Sequence, residues 1–559
     1  MDGWRLVWRS LKYYWRAHLG VTLGATIAAA ILVGALAVGD SVRATLRAMA
    51  LARLGQIAFA LDGRQQFFRT ALAAELAESL GAPVAPAILT RGTATLLPAD
   101  GSEPRRAGRV RIVGAEASFW RLGNASPPAL AADEVALNER LAEELRARPG
   151  EELLLRVERP SALSRDAPLS TVEDLAVPLR VRVAAIVTDA GFGRFSLEAN
   201  QVPPATAFLP LATLQHALDR AERVNALLVA APAGRALVAG EVAAALDRHA
   251  TLADLGFELR SLPATDEIEL RTERVFFDPA VAARAMLPGA RGVLTYFVNE
   301  IRLGDRATPY SFVTATTGPP LPADLREDEL VINEWLARDL GARPGDRVTL
   351  RYWVMGEMRR LEERTATFRV RAIVPIRAAA ADRALMPDFP GLAKAEDCRE
   401  WRPGIPIDLG RIRPADEEYW DRYRGIPKAF VGLAAGQRLW NNRFGNLTAI
   451  RYPATGTSVA ALATRLRSVL RPADLGRFFA PVREQALAAS RAQFDFGWLF
   501  LGFSLFLIVA ALLLTALLFA LGVEQRTEEV GTLLALGFRE GSVRRWLGLE
   551  GGIVALRAC

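Results

Sequence analysis

Two long stretches without formal charge constrain what this chain can fold into more than any other feature. Residues 17–38 contain His18 as their one ionisable side chain, and residues 496–523 contain none. A helix needs about 20 predominantly apolar residues to cross a bilayer, so each stretch reads as a transmembrane helix. The second, about 28 residues or 42 Å of helix, exceeds the ~30 Å hydrocarbon layer and leaves length for a stalk. Residues 1–16 mix Arg5, Arg9, Lys12 and Arg16 with Trp4, Trp8, Tyr13, Tyr14 and Trp15, a cytoplasmic or interfacial amphipathic segment. Arg526, Arg539, Arg544 and Arg545 follow the second stretch, so basic residues mark one side of both and the path runs inside–outside–inside. A cleaved signal peptide competes at the amino terminus, because Ala35-Leu36-Ala37 fits a small-residue cleavage pattern. The apolar run is longer than the ~7–15 residues of such peptides, which favours an anchor.

With 559 residues and 51% apolar composition, the chain has material for several buried cores besides its spans. A formal charge of +7 is compatible with nucleic acid, anionic lipid or cytoplasmic anchoring. The position of the arginines beside the apolar stretches favours anchoring and argues against nucleic acid. Cys398 and Cys559 are the only cysteines and lie far apart in sequence, which suggests neither a disulfide framework nor a zinc cluster.

Residues 39–495 form the large extracytoplasmic part, and an internal repeat runs through it, with copies near 88–230 and 293–452. Asp133-Glu134-Val135-Ala136-Leu137-Asn138-Glu139-Arg140-Leu141-Ala142 returns as Asp328-Glu329-Leu330-Val331-Ile332-Asn333-Glu334-Trp335-Leu336-Ala337. Both continue into Ala-Arg-Pro-Gly, at 147–150 and 342–345. About half of ~25 aligned positions are identical. Each copy reads as a strand, an Asn-capped short helix, a Pro-Gly turn and another strand. Leu179–Val187 resembles Phe368–Val374, and 207–212 resembles 429–434. The second copy carries an insertion at 388–424 whose Pro, Gly, Asp, Arg and Trp read as ordered loops, with Asp416, Glu417 and Glu418 on a solvated face rather than around a cation. The expected fold is therefore a membrane protein with α-helical spans and a large α+β extracytoplasmic domain containing a strand–helix–strand duplication.

After the second span, residues 527–536 can form a short helix with Val530, Leu533 and Leu534 on one face and Gly537 placed to end it. Glu528 and Glu529 stand where a helix dipole favours anions. Such a stripe either docks a partner or packs on the protein's own helices. An apolar stretch opening within 542–559 reads as the start of a third span, cut short.

Glu524-Gln525-Arg526-Thr527-Glu528-Glu529-Val530-Gly531, then 533–537 and Leu549-Glu550-Gly551, resembles the signature of the FtsX-like ABC transporter permease family. The region between the spans resembles that family's MacB-like periplasmic core, and Gly39-Asp40-Ser41-Val42-Arg43 resembles the first-span exit of its large bacterial members. The resemblance implies a multi-pass protein of the bacterial inner membrane whose partners are an ABC ATPase and a second permease copy or related half. It implies no cofactor in this chain, with ATP bound by the ATPase. It places the coupling contact at 524–541, on Arg526, Thr527, Glu528, Glu529, Val530, Gly531, Leu533, Leu534, Leu536 and Gly537.

Enzyme readings find no support in motifs. There is no phosphate-binding Gly-x-x-x-x-Gly-Lys loop, zinc-binding His-Glu-x-x-His helix or Gly-x-Ser-x-Gly elbow. His18, His216 and His249 are scattered, and Gly191-Phe192-Gly193 is a lone glycine pair. The alternative is an FtsX-type receptor or scaffold that regulates an extracytoplasmic partner. A sensor would continue into an output domain, whereas this chain turns back toward the membrane within ~25 residues.

Overall fold

The computed structural model describes residues 3–98, 103–160, 176–200, 202–232, 234–356, 360–393, 395–492 and 496–558. Cys559 lies outside them. One unit is built from the two ends of the chain, up to Arg53 and from Arg483, and the other is Leu54–Val482.

The terminal unit is helical: α1 (Gly3–Tyr13), α2 (Trp15–Leu54), α3 (Phe496–Glu524), α4 (Thr527–Ala535) and α5 (Glu540–Ala558). Among the described residues two helices, α2 and the Ser504–Glu524 part of α3, are long and apolar enough to cross a membrane. Leu23, Ile27 and Val33 of α2, and Phe506, Leu513 and Leu517 of α3, are each more than half exposed. A soluble core helix would bury them; a bilayer covers such a surface instead. The two helices approach closely at Gly24, where an added Cβ would lie 2.8 Å from Thr515 Oγ1, the use to which membrane helices put small residues.

The boundaries differ from expectation at three places. α2 does not stop at Val38 but runs on to Leu54, because the Ala, Leu, Arg and Met of residues 44–54 are strong helix formers that carry the backbone past Gly39. The sheet unit accordingly begins at Leu54 and ends at Val482, inside the expected 39–495. The segment expected to open a third span at 542 belongs to a 19-residue helix starting at Glu540. Arg544, Arg545 and Glu550 keep that helix out of the class long and apolar enough to cross.

The sheet unit contains two closed rings of six strands. Numbering the ring strands alone, the first comprises β1 (Val84–Leu97), β2 (Arg105–Ala115), β3 (Glu134–Asn138), β4 (Glu152–Glu158), β5 (Ala176–Val187) and β6 (Thr206–Pro210). The second comprises β7 (Arg291–Leu303), β8 (Arg306–Thr316), β9 (Glu329–Asn333), β10 (Arg347–Met355), β11 (Leu361–Val374) and β12 (Ala429–Gly432). The orders are β1-β2-β6-β3-β5-β4 and β7-β8-β12-β9-β11-β10, each returning to its first strand. In both, the pairs β2/β6 and β8/β12, and β3/β5 and β9/β11, are parallel and the rest antiparallel.

Even the irregularities agree. Glu134 faces Arg182 and Asn138 faces Val187, as Glu329 faces Arg369 and Asn333 faces Val374, with a register break after the second residue in each case. Gly150 and Gly345, at φ 97° and 98°, donate to the Val183 and Val370 carbonyls at 2.7 Å. Inward side chains such as Ile88, Leu96, Val135 and Leu153 fill the first ring, and Leu294, Leu330 and Leu350 the second.

Closure depends on β1 and β7, each of which changes partner along one edge. β1 pairs with the short strand Ala226–Ala230 over 84–87 and with β4 over 92–97. At the break, the buried Asn225 side chain accepts from Leu89 N at 2.7 Å and donates to Leu89 O at 2.8 Å. In the second ring Ala449–Pro453 takes the place of Ala226–Ala230, and Thr448 Oγ1 accepts from Thr295 N at 3.0 Å.

Each ring also turns on one asparagine. Asn138 Oδ1 accepts from Leu141 N at 3.0 Å, capping helix Glu139–Leu145, and from Thr206 N at 2.9 Å. Its Nδ2 donates to the Gly193 and Pro204 carbonyls. Asn333 caps helix Glu334–Leu340 through Leu336 N at 2.8 Å and donates to Tyr419 Oη and the Pro427 carbonyl.

The insertion is more ordered than its composition suggested. It contains helix Pro414–Tyr423 and buries Phe389, Leu392, Cys398, Trp401 and Trp420 against the second ring. Asp416 is not on a solvated face: it is 6% exposed, paired with Arg413 at 2.8 Å and Lys428 at 3.5 Å. Glu417 pairs with Arg399 at 3.0 Å, and Glu418 remains exposed. The apolar wall supplied by those aromatics is what makes the pairing necessary. Burial alone would raise the Asp416 carboxyl, but the Arg413 hydrogen bond and the Lys428 charge hold it below the ordinary range.

Two predictions follow from these anchors. Asn138→Ala and Asn333→Ala should each cost about 2–3 kcal/mol, read as similar falls in the unfolding midpoint of the two variants, since each strands buried backbone donors. Asp416→Asn should cost about 3 kcal/mol or more by leaving Lys428 buried without its carboxylate. Because the folded carboxyl titrates below the ordinary Asp value of 3.8, its contribution should be complete above that pH and disappear as pH falls through the lower folded value. Unfolding curves for wild type and Asp416→Asn should converge at acid pH.

Candidate functional site

The short α4 owes its limits to local chemistry. Helix α3 ends at Glu524, and the turn through Gln525 and Arg526 leads into α4, whose first turn carries Glu528 and Glu529. At the other end Gly537, at φ 89°, donates to the Leu534 carbonyl at 3.0 Å while Phe538 N donates to Leu533 O at 3.2 Å. This paired arrangement closes a helix where only glycine adopts the left-handed conformation without strain.

The candidate contact residues divide into two groups. Thr527, Glu528, Gly531, Leu534, Leu536 and Gly537 are exposed, with Leu534 at 42% and Leu536 at 72%. Val530 and Leu533 instead line a small cavity with Leu6, Val7, Val543 and Trp546, between α4, α1 and α5. The expected single face of Val530, Leu533 and Leu534 is thus split, because adjacent positions on a helix point about 100° apart.

Arg526 is not a surface contact. It is 5% exposed, and its Nη1 meets Glu550 Oε2 at 2.9 Å and Oε1 at 3.0 Å. Ser10 Oγ donates to both Glu550 oxygens at 3.0 and 3.1 Å. The guanidinium lies 3.6 Å over the Tyr14 ring, and Tyr14 Oη donates to Glu529 at 3.0 Å. His18 Nε2 stands 2.5 Å from Glu550 Oε1 and 3.2 Å from Arg526 Nη2. That nitrogen faces an acceptor and a donor at once, so one tautomer serves Glu550 and the other Arg526. Four helices, α1, α2, α4 and α5, are joined here through one buried ion pair. Beneath it Val7, Leu11, Val21 and Val554 pack together.

Sequence reading placed Arg526 in the site, left His18 among scattered histidines, named Tyr14 only as an interfacial aromatic and Glu550 only within the family signature, and did not enter Ser10. The signal available was polarity in the wrong place: His18 is the ionisable residue of an apolar span, a position where a partner is required. The remaining candidates are structural. His216 and His249 lie at the ends of helices Leu211–Ala217 and Ala239–His249. Phe192, between its two glycines, is buried against Phe119 and Phe195. Burial pushes the Cys398 thiol up to about 12, which makes it unreactive.

If the ion pair holds these helices together, Arg526→Ala and Glu550→Ala should each destabilise the terminal unit by about 3 kcal/mol, because each strands a buried charge. The double variant should lose much less than the sum. A coupling energy near zero in that cycle, measured by thermal unfolding in detergent, would contradict the assignment.

Two known families match the chain. Residues 19–262 match the MacB-like periplasmic core domain, and residues 501–559 match the FtsX-like permease C-terminal family. The first covers α2 and the first ring; the second ring lies outside both. Among solved structures, the periplasmic region of MacB from Actinobacillus actinomycetemcomitans is similar at 11% identity, covering 35% of this chain and 86% of that one, with a TM-score of 0.24. The extracellular domain of the noncanonic ABC-type transporter YknZ from Gram-positive bacteria is similar at 12% identity, covering 33% and 84%, with a TM-score of 0.20. No curated protein matches the chain. The two family segments, not these overlaps, carry the assignment.

Proposed function

We propose that this chain, an ABC permease of the FtsX-like and MacB-like kind, receives the stroke of a separate ATPase through α4 and passes it along its spanning helices to the sheet unit. The observation that carries this reading is the division of α4. Leu534 and Leu536 stand out with Glu528 at the exposed side, while Arg526 fixes the helix to α1 and α5 through Glu550. A helix that only filled the protein's own interior would not present two large leucines to solvent, and buried apolar anchors carry most interface energy. ATP is bound and hydrolysed by the partner, and this chain needs no cofactor. In this reading the protein lies in a bacterial inner membrane with α4 on the cytoplasmic side and the sheet unit outside. A second permease copy or a related half completes the assembly, whose work is export or the handling of lipid, lipoprotein or peptide.

Leu534→Asp combined with Leu536→Asp should weaken ATPase binding by about 2–4 kcal/mol, roughly 30- to 1000-fold, and abolish stimulated hydrolysis. Protease resistance of the sheet unit should not change. Leu533→Asp should act differently, lowering stability first because it faces the protein's own helices. An ATPase that binds the double variant as it binds wild type would remove α4 from the coupling role and leave a receptor or scaffold as the better reading.

A further inference from the structure

The insertion meets the second ring at a small cavity whose wall is rich in hydrogen-bond donors. Tyr310 of β8, Trp401, Asp416, Trp420 and Arg424 of the insertion, and Lys428 just before β12 line about 20 Å³ there. That volume holds one particle the size of a water. Trp401 and Trp420 are 5% and 4% exposed, and neither indole Nε1 has a hydrogen-bond partner among the described residues. Their rings meet edge to face with centroids 4.9 Å apart, a contact that can occupy one N–H but not both. Lys428, buried as deeply, has three protons to give. Asp416 Oδ1 takes one at 3.5 Å, and the rings of Trp335 and Tyr419 lie 4.4 and 4.8 Å away. Tyr310 Oη accepts from Asp408 N at 2.6 Å and keeps its own proton to donate.

The side-chain acceptors on the same wall are already engaged. Arg413 donates to the Asp416 carboxylate from N, Nε and Nη2 at 3.1, 2.8 and 3.0 Å. Tyr419 Oη accepts from Asn333 Nδ2 and gives its proton to the Ile426 carbonyl, both at 3.0 Å. Lys428 and Arg424 outnumber Asp416 among the lining residues, and Asp416 is shared with Arg413 besides, so the wall is net positive. These conditions discriminate between occupants. A water has two protons of its own to place as well as bonds to accept, and here it would meet donors and occupied acceptors. A halide only accepts, from indole N–H, phenol O–H and ammonium alike, and its charge offsets that of a buried cation.

We propose that this cavity binds a single chloride ion, held by the Trp401 and Trp420 indoles and the Lys428 ammonium, and that the ion fastens the insertion to the second ring. Full-length protein in detergent is unfolded by heat in sodium chloride, sodium bromide and sodium gluconate at one ionic strength, gluconate being too large for the cavity. Wild type should be more stable in either halide, with a midpoint that rises to saturation as chloride replaces gluconate. Trp401→Phe combined with Trp420→Phe keeps an aromatic ring at each position and removes both N–H groups. Its apparent chloride affinity should fall by about tenfold or more. Proteolysis within 388–424 should be slowed by chloride in wild type and unaffected by it in the double variant. Equal midpoints in chloride and gluconate, a rise that never saturates, or the same chloride response in the double variant would overturn the proposal and leave the cavity to water. Should the double variant fail to fold, crystals of wild type grown in bromide decide. An anomalous scattering peak between the two indoles and Lys428 supports the site, and its absence overturns it.

Discussion

A sheet can close on itself only if one strand serves partners at both ends of the ring, and β1 and β7 do so by handing one edge from a short strand to a ring strand. At the handover the backbone has a donor and an acceptor that neither neighbour reaches. Left unpaired in a dry interior, they would cost as much as the closure gains. Asn225 supplies both missing bonds to Leu89, and Thr448 supplies an acceptor to Thr295. The side chains differ, an amide in one ring and a hydroxyl in the other, but each immediately precedes the short strand that gives way. Everything else in the sheet unit, from the filled interiors to the capped helices across the parallel pairs, presupposes that these two breaks are filled.

The recurring strand, cap and turn were legible because their chemistry is local. Asn138 and Asn333 precede their helices, and Gly150 and Gly345 occupy a backbone conformation that favours glycine. Ring closure was not legible, because it depends on pairings between segments far apart, such as Ala226–Ala230 with β1. The insertion was misjudged for another reason. Pro414 opens a helix rather than breaking one, being tolerated in the first turn, and behind it Asp416 pairs with Lys428 as well as with the adjacent Arg413, while Glu417 pairs with Arg399.

At the candidate site the limits of α4 and its terminating glycine were visible in advance, while the division of its face was not. Periodicity assigns residues to a stripe but cannot say which neighbour the stripe meets. Here α1, from the opposite end of the chain, takes Val530 and Leu533 and leaves Leu534 and Leu536 outside. The ion pair escaped for the same reason: Ser10, His18 and Glu550 are brought together only by folding. Of the four helices joined at the ion pair, the family match at 501–559 covers α4 and α5 but neither α1 nor α2.

The unbroken length of α2 has a mechanical meaning. Forty residues in one helix make a rod of about 60 Å, twice the ~30 Å of a hydrocarbon layer. Its first turns carry His18 at the ion pair, and no proline interrupts it. For a rigid rod of that length, a tilt of about 5° about the His18 end corresponds to about 5 Å of sideways displacement at the other end. The helix is thus one continuous rod from His18, at the ion pair, to Leu54.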